Sequence, residues 1–272
     1  MSSSSTRRGR AIGVTAASAL LLALLPVGAV QAATHTPTAP SPIGIVHVVH
    51  GNSPAVTKVS GTAAADESTG CGIKSVNPTG VVLGGSEVVQ NYSVTTTGTG
   101  CTGNVTWVLR WDNGNVFVDS YMNQAYWWPD EYRNGSAKSY GMSVELTNGD
   151  GTSVSKSFNY SFRRRATFGS TFNASPEPLK LGAKLTLKAT LKRISWDGNK
   201  MPYIAYTKQP VKVQFKPTGN TGYTTIKTVK SGTGGKISTT VTAVQTGTWR
   251  LSFAGTSTTG ASNSGTDAVT VK

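Results

Sequence analysis

The chain contains 272 residues, with 26 Lys and Arg against 12 Asp and Glu, and its formal net charge is +14. Charged residues make up only 14% of the chain, below the globular average of about 25%, and the 31 Gly and 12 Pro are too few for collagen. This composition excludes a coiled coil, a helical bundle and a long polar disordered protein.

Residues 1–32 have the pattern of a secretory signal peptide. Three arginines between residues 7 and 10 form a basic start, an apolar stretch covers 19–25, and small residues precede a cleavage position after Ala32. An uncleaved anchor and a twin-arginine signal are the alternatives, but Pro26 and the lack of an apolar pair after the arginines favour general secretion. We therefore expect a secreted protein without a transmembrane segment after cleavage.

Residues 33–70 are rich in Pro, Thr, Ser and Ala, a composition typical of a flexible tether. One apolar stretch, residues 43–50, interrupts it. This stretch is either an added strand or an exposed segment of a propeptide, and the sequence does not distinguish the two.

Cys71 and Cys101 are the only two cysteines of the chain. In an exported protein such a pair is expected to be oxidised, and with no histidine nearby it makes a poor zinc site. We predict a structural disulfide between them.

Beyond residue 70 the dominant signal is the alternation of apolar and polar residues, which is typical of half-buried strands. The clearest runs are 184–192, 211–216, 237–243 and 249–253. Asn-Gly, Asp-Gly and Gly-Gly turn signals separate the runs. Many short strands at this spacing predict an all-β fold of sandwich type.

About 200 residues of this pattern exceed the length of one sandwich of about 100 residues. The run Arg163–Arg165, which is also a candidate processing site, marks the break. We predict two tandem Ig-like β-sandwich domains after the signal peptide and tether, one over 71–165 and one over 166–272.

The basic charge belongs to the second predicted domain. Residues 166–272 carry 14 Lys and Arg against Glu177, Asp197 and Asp267, a net charge of +11. Residues 33–165 carry nine residues of each sign.

Several motifs of the second domain follow the order of a known family. Residues 173–178 (NASPEP) open it and residues 247–259 (GTWRLSFAGTSTT) close it. Residues 173–272 thus resemble the Ig-like module of secreted actinomycete proteins, which commonly forms the C-terminal half of a two-domain chain. The resemblance implies export and β-sandwiches, but no established activity and no catalytic residues. Some members are labelled calcium-binding, for which this chain has at best a fragment of a loop at 112–115.

The two predicted domains contain few candidate catalytic residues. All three histidines, His35, His47 and His50, precede residue 71, which removes Ser-His-Asp and Cys-His chemistry and histidine metal sites from the sandwiches. Carboxylate pairs remain, and the acidic residues concerned lie at turns or alternating polar positions: Asp112, Asp119, Asp130, Glu131 and Glu145. We predict no enzyme activity, no cofactor and no metal site.

The densest aromatic cluster lies in segment 121–134. Its candidate carbohydrate-binding residues are Tyr126, Trp127, Trp128 and Tyr132, since exposed rings stack on sugars while polar neighbours bind hydroxyls. Trp127 and Trp128 point to opposite sides of an extended segment, so one of them is expected to be exposed. The alternative is that these rings fill the core or the domain interface.

A lysine stripe is the more specific feature of the second domain. Lys184, Lys188 and Lys192 share the outer face of one predicted strand, and Lys212 and Lys216 share that of another. If these strands pair, they form one cationic sheet that attracts polyanions. The alternative is that the lysines protect sheet edges and solubility.

The sequence therefore predicts a secreted, non-catalytic binding or structural module of the cell envelope or extracellular space. Its basic domain is expected to contact an anionic polymer such as teichoic acid or an acidic polysaccharide, or anionic lipid headgroups. No specific nucleic acid is expected, because no aromatic residues alternate with the lysines. The alternative is a secreted hydrolase, or an inhibitor of one, acting through segment 121–134.

Overall fold

The computed structural model describes residues 70–272, which form an all-β structure. The predicted signal peptide, nearly all of the tether, segment 43–50 and the three histidines lie outside the described residues. The nine strands that precede residue 166 are β1 (Gly72–Asn77), β2 (Gly80–Leu83), β3 (Val88–Asn91), β4 (Ser93–Thr97), β5 (Thr106–Trp111), β6 (Val116–Asp119), β7 (Gln124–Trp127), β8 (Ser139–Thr147) and β9 (Ser153–Arg164).

Eleven further strands follow within the described part of the chain. They are β10 (Ala166–Thr167), β11 (Asn173–Ser175), β12 (Lys184–Thr190), β13 (Lys192–Ile194), β14 (Tyr203–Ala205), β15 (Pro210–Pro217), β16 (Thr224–Lys230), β17 (Lys236–Thr242), β18 (Gly247–Phe253), β19 (Ser262–Asn263) and β20 (Asp267–Val269). Short 3-10 helices cover Pro129–Glu131, Asn134–Ser136 and Thr233–Gly235. Within residues 70–272, no helix has the length and apolar character needed to cross a bilayer.

The first sandwich encloses its own hydrophobic core. A five-stranded sheet in the order β2-β9-β8-β5-β6 forms one layer, and the pairs β1-β4 and β3-β7 contribute the other. Strands β2 and β9 run parallel, whereas the other pairs are antiparallel. Large rings fill the space between the layers, among them those of Trp111, Phe117, Trp127 and Tyr160.

The second sandwich has a separate core made from alternating apolar residues. One layer is the sheet β11-β12-β17, and the other is β16-β15-β18, with β19 and β20 both paired to β18. Leu185 and Leu187 of β12 and Val211 and Val213 of β15 are fully buried in this core. The predicted all-β fold of tandem Ig-like sandwiches is confirmed, because period-two alternation places one side of each strand inside.

Packing crosses the predicted boundary between residues 165 and 166. Ile194 and Trp196, which follow β12 in sequence, are fully buried in the core of the first sandwich. The Trp196 ring lies 5.1 Å from that of Phe162, and its Nε1 donates a hydrogen bond of 3.3 Å to the carbonyl oxygen of Gly84. The position of the domain boundary stays a prediction, but the second half of the chain completes the first core.

Asn134 joins the two sandwiches through one side-chain amide. Its Oδ1 accepts hydrogen bonds from Arg164 Nη1 at 2.6 Å and from the Trp196 N–H at 2.9 Å. Its Nδ2 donates to Ser195 Oγ at 3.0 Å and to the Asp197 carboxylate, which also accepts the Asn134 backbone N–H. The amide therefore uses both donors and both acceptor positions, so no hydrogen-bonding capacity of this side chain is left over.

The Arg163–Arg165 run is part of this junction. Arg164 is buried, and burial, followed by the nearby charge of Arg193, lowers the pKa of its guanidinium. Its backbone N–H donates to Thr258 O, and its carbonyl accepts the N–H of Gly260. A backbone held in this way does not fit a protease without local unfolding, so the structure contradicts a processing site here in the folded protein.

The predicted disulfide is present. Cys71 and Cys101 are bonded and close a segment with a sequence separation of 30 residues. The bond ties the start of β1 to the loop after β4, at the edge of the first core.

Replacing both cysteines, as Cys71→Ser with Cys101→Ser, should lower the free energy of unfolding by about 3–4 kcal/mol, because the reduced unfolded chain regains loop entropy. Urea denaturation of the oxidised protein and of the variant measures this difference. Reductant should lower the midpoint of the native protein and leave that of the variant unchanged. Equal midpoints for both proteins without reductant would contradict a stabilising role.

Asn134→Ala should destabilise the protein by about 2–4 kcal/mol, since it leaves the buried Arg164 guanidinium and the Trp196 N–H without their shared acceptor. Asn104→Ala is the matched control, because Asn104 is exposed in a loop of the same sandwich. Chemical denaturation followed by tryptophan fluorescence compares the two variants. An equally small effect of both changes would show that the Asn134 amide does not hold the junction.

Candidate functional site

The lysine residues lie on two different sheets of the second sandwich. Lys184 and Lys188 project from β12, which pairs with β11 and β17. Lys212 and Lys216 project from β15, which pairs with β16 and β18. The inward residues of β12 and β15 share one core, so the outward residues of the two strands point in opposite directions.

The predicted single cationic sheet is therefore wrong. Strands β12 and β15 do not pair; they face each other across the core as members of opposite layers. Lys192 also leaves the stripe, because the strand is interrupted at Leu191 and Lys192 lies in β13, which pairs with β10 and β14. All the lysines except the half-buried Lys216 are exposed, as expected.

We name the outer surface of β11-β12-β17 the Lys184 face. It carries Lys184, Lys188 and Lys236, and in the pairing of β12 with β17 each of these lysines is opposite a Ser or Thr residue. Lys184 Nζ donates to Thr242 Oγ1 at 3.1 Å. Gly235 makes the turn into β17, since its φ of 73° and the 2.1 Å between an added Cβ and Leu191 O exclude a side chain.

We name the outer surface of β16-β15-β18 the Arg250 face. In the pairing of β15 with β18, Arg250 is opposite Gln214. The β18 residues opposite Lys212 and Lys216 lie two positions from Arg250, one on each side. Its guanidinium carbon lies 3.8 Å from the ring centroid of Tyr223, and its Nε donates to Gln214 Oε1 at 2.9 Å. Lys216 Nζ lies 5.4 Å from the same centroid.

Sequence patterns alone do not mark Arg250 and Tyr223 as site residues. Arg250 stands alone between apolar residues of β18, so it belongs to no charge run, and Tyr223 precedes its strand. Only the antiparallel pairing of β15 with β18 brings Arg250 beside the lysines. The alternation at 249–253, which exposes residue 250, is the one local signal.

Of the three acidic residues of 166–272, Asp267 lies in β20 of the same sheet as Arg250, where it pairs with the buried Trp249, and the other two lie outside the strands that form the faces. Asp197 is bound to Asn134, and Asp267 accepts the Ala174 N–H at 2.7 Å. Glu177 is exposed between two prolines, in the loop before β12. The strands β11, β12 and β15 to β18 thus hold eight cations and no carboxylate.

The aromatic candidates divide into two groups. Trp127 and Tyr132 are buried in the first core, where their rings lie 6.3 Å apart, so their prediction as carbohydrate-binding residues is wrong. Alternation turns Tyr126 and Trp128 to the other side of the same strand, where they are half-buried with nearly parallel rings 5.8 Å apart. The rings of Trp127 and Tyr132 therefore pack in the hydrophobic core, which is the alternative that the sequence left open.

Tyr126 and Trp128 lie beside polar groups of β3 and β7. Tyr126 donates from its hydroxyl to Gln124 Oε1 at 2.8 Å, and Gln124 Nε2 donates to Asn91 Oδ1 at 3.0 Å. Val89, which pairs with Tyr126, is exposed. Carbohydrate binding therefore stays a prediction for Tyr126 and Trp128, two of the four candidate residues.

The candidate carboxylates serve local structure. Asp119 accepts the backbone N–H groups of Tyr121 and Met122, and Glu145 lies 3.5 Å from Arg110. Asp130 is exposed on a 3-10 turn, and its neighbour Glu131 is half-buried. A groove of about 480 Å³ on the first sandwich holds Asp112 as its one carboxylate, whereas glycosidases use two.

Four tyrosines lie in the core of the first sandwich. Tyr92 and Tyr160 share a hydrogen bond of 2.5 Å between their hydroxyls. Burial raises the pKa of Tyr92, Tyr132 and Tyr160 well above the ordinary value, and raises that of Tyr140 to about 12. These phenols stay neutral in the folded protein at pH values where an unfolded chain ionises them.

Comparison with known proteins gives no family. No protein-family model and no curated protein matches the sequence. Murine CEACAM1b has a TM-score of 0.30 and 8% identity, covering 74% of this chain and 100% of that chain. The D00-D0 domain of intimin has a TM-score of 0.27 and 14% identity, covering 72% and 98%. A putative superoxide reductase from Thermotoga maritima has a TM-score of 0.28 and 17% identity, and the match covers 40% of this chain and 87% of that chain. Similarities of this size carry no argument about function.

Raising the pH from 8 to 11 should destabilise the protein, because the unfolded tyrosines ionise near pH 10 and the buried ones do not. A group whose pKa is raised by folding contributes fully to the free energy of unfolding at pH values below its pKa in the unfolded chain. This contribution is lost as the pH rises toward the pKa of the group in the folded protein. The expected loss at pH 11 is about 1 kcal/mol for each buried tyrosine. Urea denaturation at both pH values measures it.

Tyr140→Phe should reduce this pH dependence, whereas Tyr121→Phe, a change at an exposed ring, should not. Equal stability of the native protein at both pH values would contradict the raised pKa values.

Proposed function

We propose that this protein is a secreted, non-catalytic binding module of the cell envelope or extracellular space whose second sandwich contacts anionic polymers. The observation that carries the proposal is the charge of the second sandwich's outer faces. Strands β11, β12 and β15 to β18 hold eight cations and no carboxylate. Seven of these cations project outward, whereas Lys227 pairs with the buried Val213 and donates to Thr240 O of the opposite layer. Cations that share a surface without counter-charges create a positive potential, which attracts polyanions.

Two features support export and a non-catalytic role. The Cys71–Cys101 disulfide suits an oxidising compartment outside the cytosol. Residues 70–272 contain no histidine, so the commonest general base is missing from both sandwiches. The alternative of a hydrolase at 121–134 gains no support from the geometry, since Trp127 and Tyr132 are buried.

The chain from residue 33 onward should be retained by dextran sulfate beads and by purified bacterial cell walls at about 0.01 M ionic strength, and released before about 1 M, where the Debye length falls to about 3 Å. This test uses both sandwiches, because an isolated second sandwich would lose the packing of Trp196.

Lys212→Gln with Arg250→Gln should elute at lower salt than the native chain. The matched control, Lys74→Gln with Lys138→Gln, removes two charges from exposed residues of the first sandwich and should elute close to the native chain. Passage of the native chain through the beads at low ionic strength would overturn the proposal. Identical elution of the two variants would assign retention to net charge and not to the second sandwich.

A further inference from the structure

Two cations converge on one aromatic ring of the Arg250 face. The guanidinium carbon of Arg250 is 3.8 Å and the ammonium nitrogen of Lys216 is 5.4 Å from the ring centroid of Tyr223. The negative face of the ring stabilises each cation. A bound anion would neutralise part of the positive charge that these two cations place beside the ring.

Arg250 is held in a fixed orientation. Its Nε donates to Gln214 Oε1 at 2.9 Å, and Gln214 Nε2 in turn donates to Thr225 Oγ1 at 3.3 Å. The Tyr223 ring lies against the guanidinium and restricts its position. Within residues 70–272, these contacts leave both Nη groups of Arg250 without a protein partner, so they are available for a bidentate pair of hydrogen bonds to an oxyanion.

We propose that Arg250, Lys216 and Tyr223 form a site for a phosphate monoester carried on a polysaccharide. The inference rests on the proposed function and names the anionic group that this face selects. Two cations match a phosphate monoester, which carries a charge of about −1.5 to −2 at neutral pH and three terminal oxygens. Two of these oxygens accept from Arg250, and the third accepts from Lys216.

Other anions satisfy this site less completely. A carboxylate carries a single charge, which neutralises only one of the two cations, and its two oxygens would have to serve both Arg250 and Lys216. A sulfate ester has three terminal oxygens but a single charge, which neutralises only one of the two cations.

A polymer fits better than a small molecule because the cations continue along the strand. Lys212 lies four residues from Lys216 on the same face of β15, a distance of about 13 Å at the rise of a strand. One phosphate does not span that distance, so Lys212 is placed to contact a later anionic group of the same chain.

Isothermal titration should compare dextran phosphate, dextran sulfate and carboxymethyl-dextran of equal charge per sugar at low ionic strength and pH 7.5. The native chain should bind dextran phosphate about tenfold more tightly than the other two. Arg250→Lys keeps the charge but removes the planar pair of donors, and should abolish this preference. Lys74→Gln on the first sandwich should leave the preference unchanged.

A second variant keeps the proposal testable if Arg250→Lys alters the fold. Gln214→Glu places a carboxylate beside Arg250 Nε and should also abolish the preference, with thermal unfolding as the check on both variants. Affinity for dextran phosphate should rise from pH 5 to 7.5, since the second pKa of the monoester is about 6. Affinity for dextran sulfate should not rise, which also controls for His35, His47 and His50.

The outcomes separate the two proposals. A preference for phosphate that Arg250→Lys and Gln214→Glu both remove supports the site. Equal affinity for the three dextrans, or a stronger affinity for sulfate, overturns the phosphate assignment and leaves the general polyanion function standing. Absence of binding to all three at low ionic strength overturns the proposed function together with this inference.

Discussion

The side-chain amide of Asn134 is the centre of the hydrogen bonds that join the two sandwiches. Asn134 sits at the end of the first sandwich and bonds at once to Arg164, Trp196, Ser195 and Asp197. These partners come from segments on both sides of the predicted boundary, so the amide links the two sandwiches. The Trp196 ring follows its backbone into the first core, so the separation into two cores still leaves one continuous packed structure.

The sequence was informative where structure depends on neighbours in the chain. Alternation is local, so it identified which residues of β12, β15 and β18 face inward, and the buried leucines confirm it. Pairing between strands is not local, so the sequence pattern does not reveal that the two lysine stripes lie on opposite sheets. The interruption at Leu191 was equally invisible, since the alternation of side chains continues through it while the hydrogen bonds change partner.

The same limit explains what was missed at the candidate site. Arg250 is separated by 34 residues from Lys216 in the sequence, and only the β15–β18 pairing and the ring of Tyr223 bring them together. The aromatic cluster shows the reverse case. Its density favours a binding surface, but Trp127 and Tyr132 are among the largest fully buried side chains of the first core, and burial of apolar area favours that use.

The opposite orientation of the Lys184 face and the Arg250 face has a consequence for the proposed function. Packed sheets lie about 10 Å apart, and the apolar core of the second sandwich fills the space between its two layers. One stiff polymer chain cannot lie on both faces without bending around a sheet edge, whereas two chains can each occupy one. Under the proposed function, the second sandwich would therefore bind two polymer chains and cross-link strands of an anionic network.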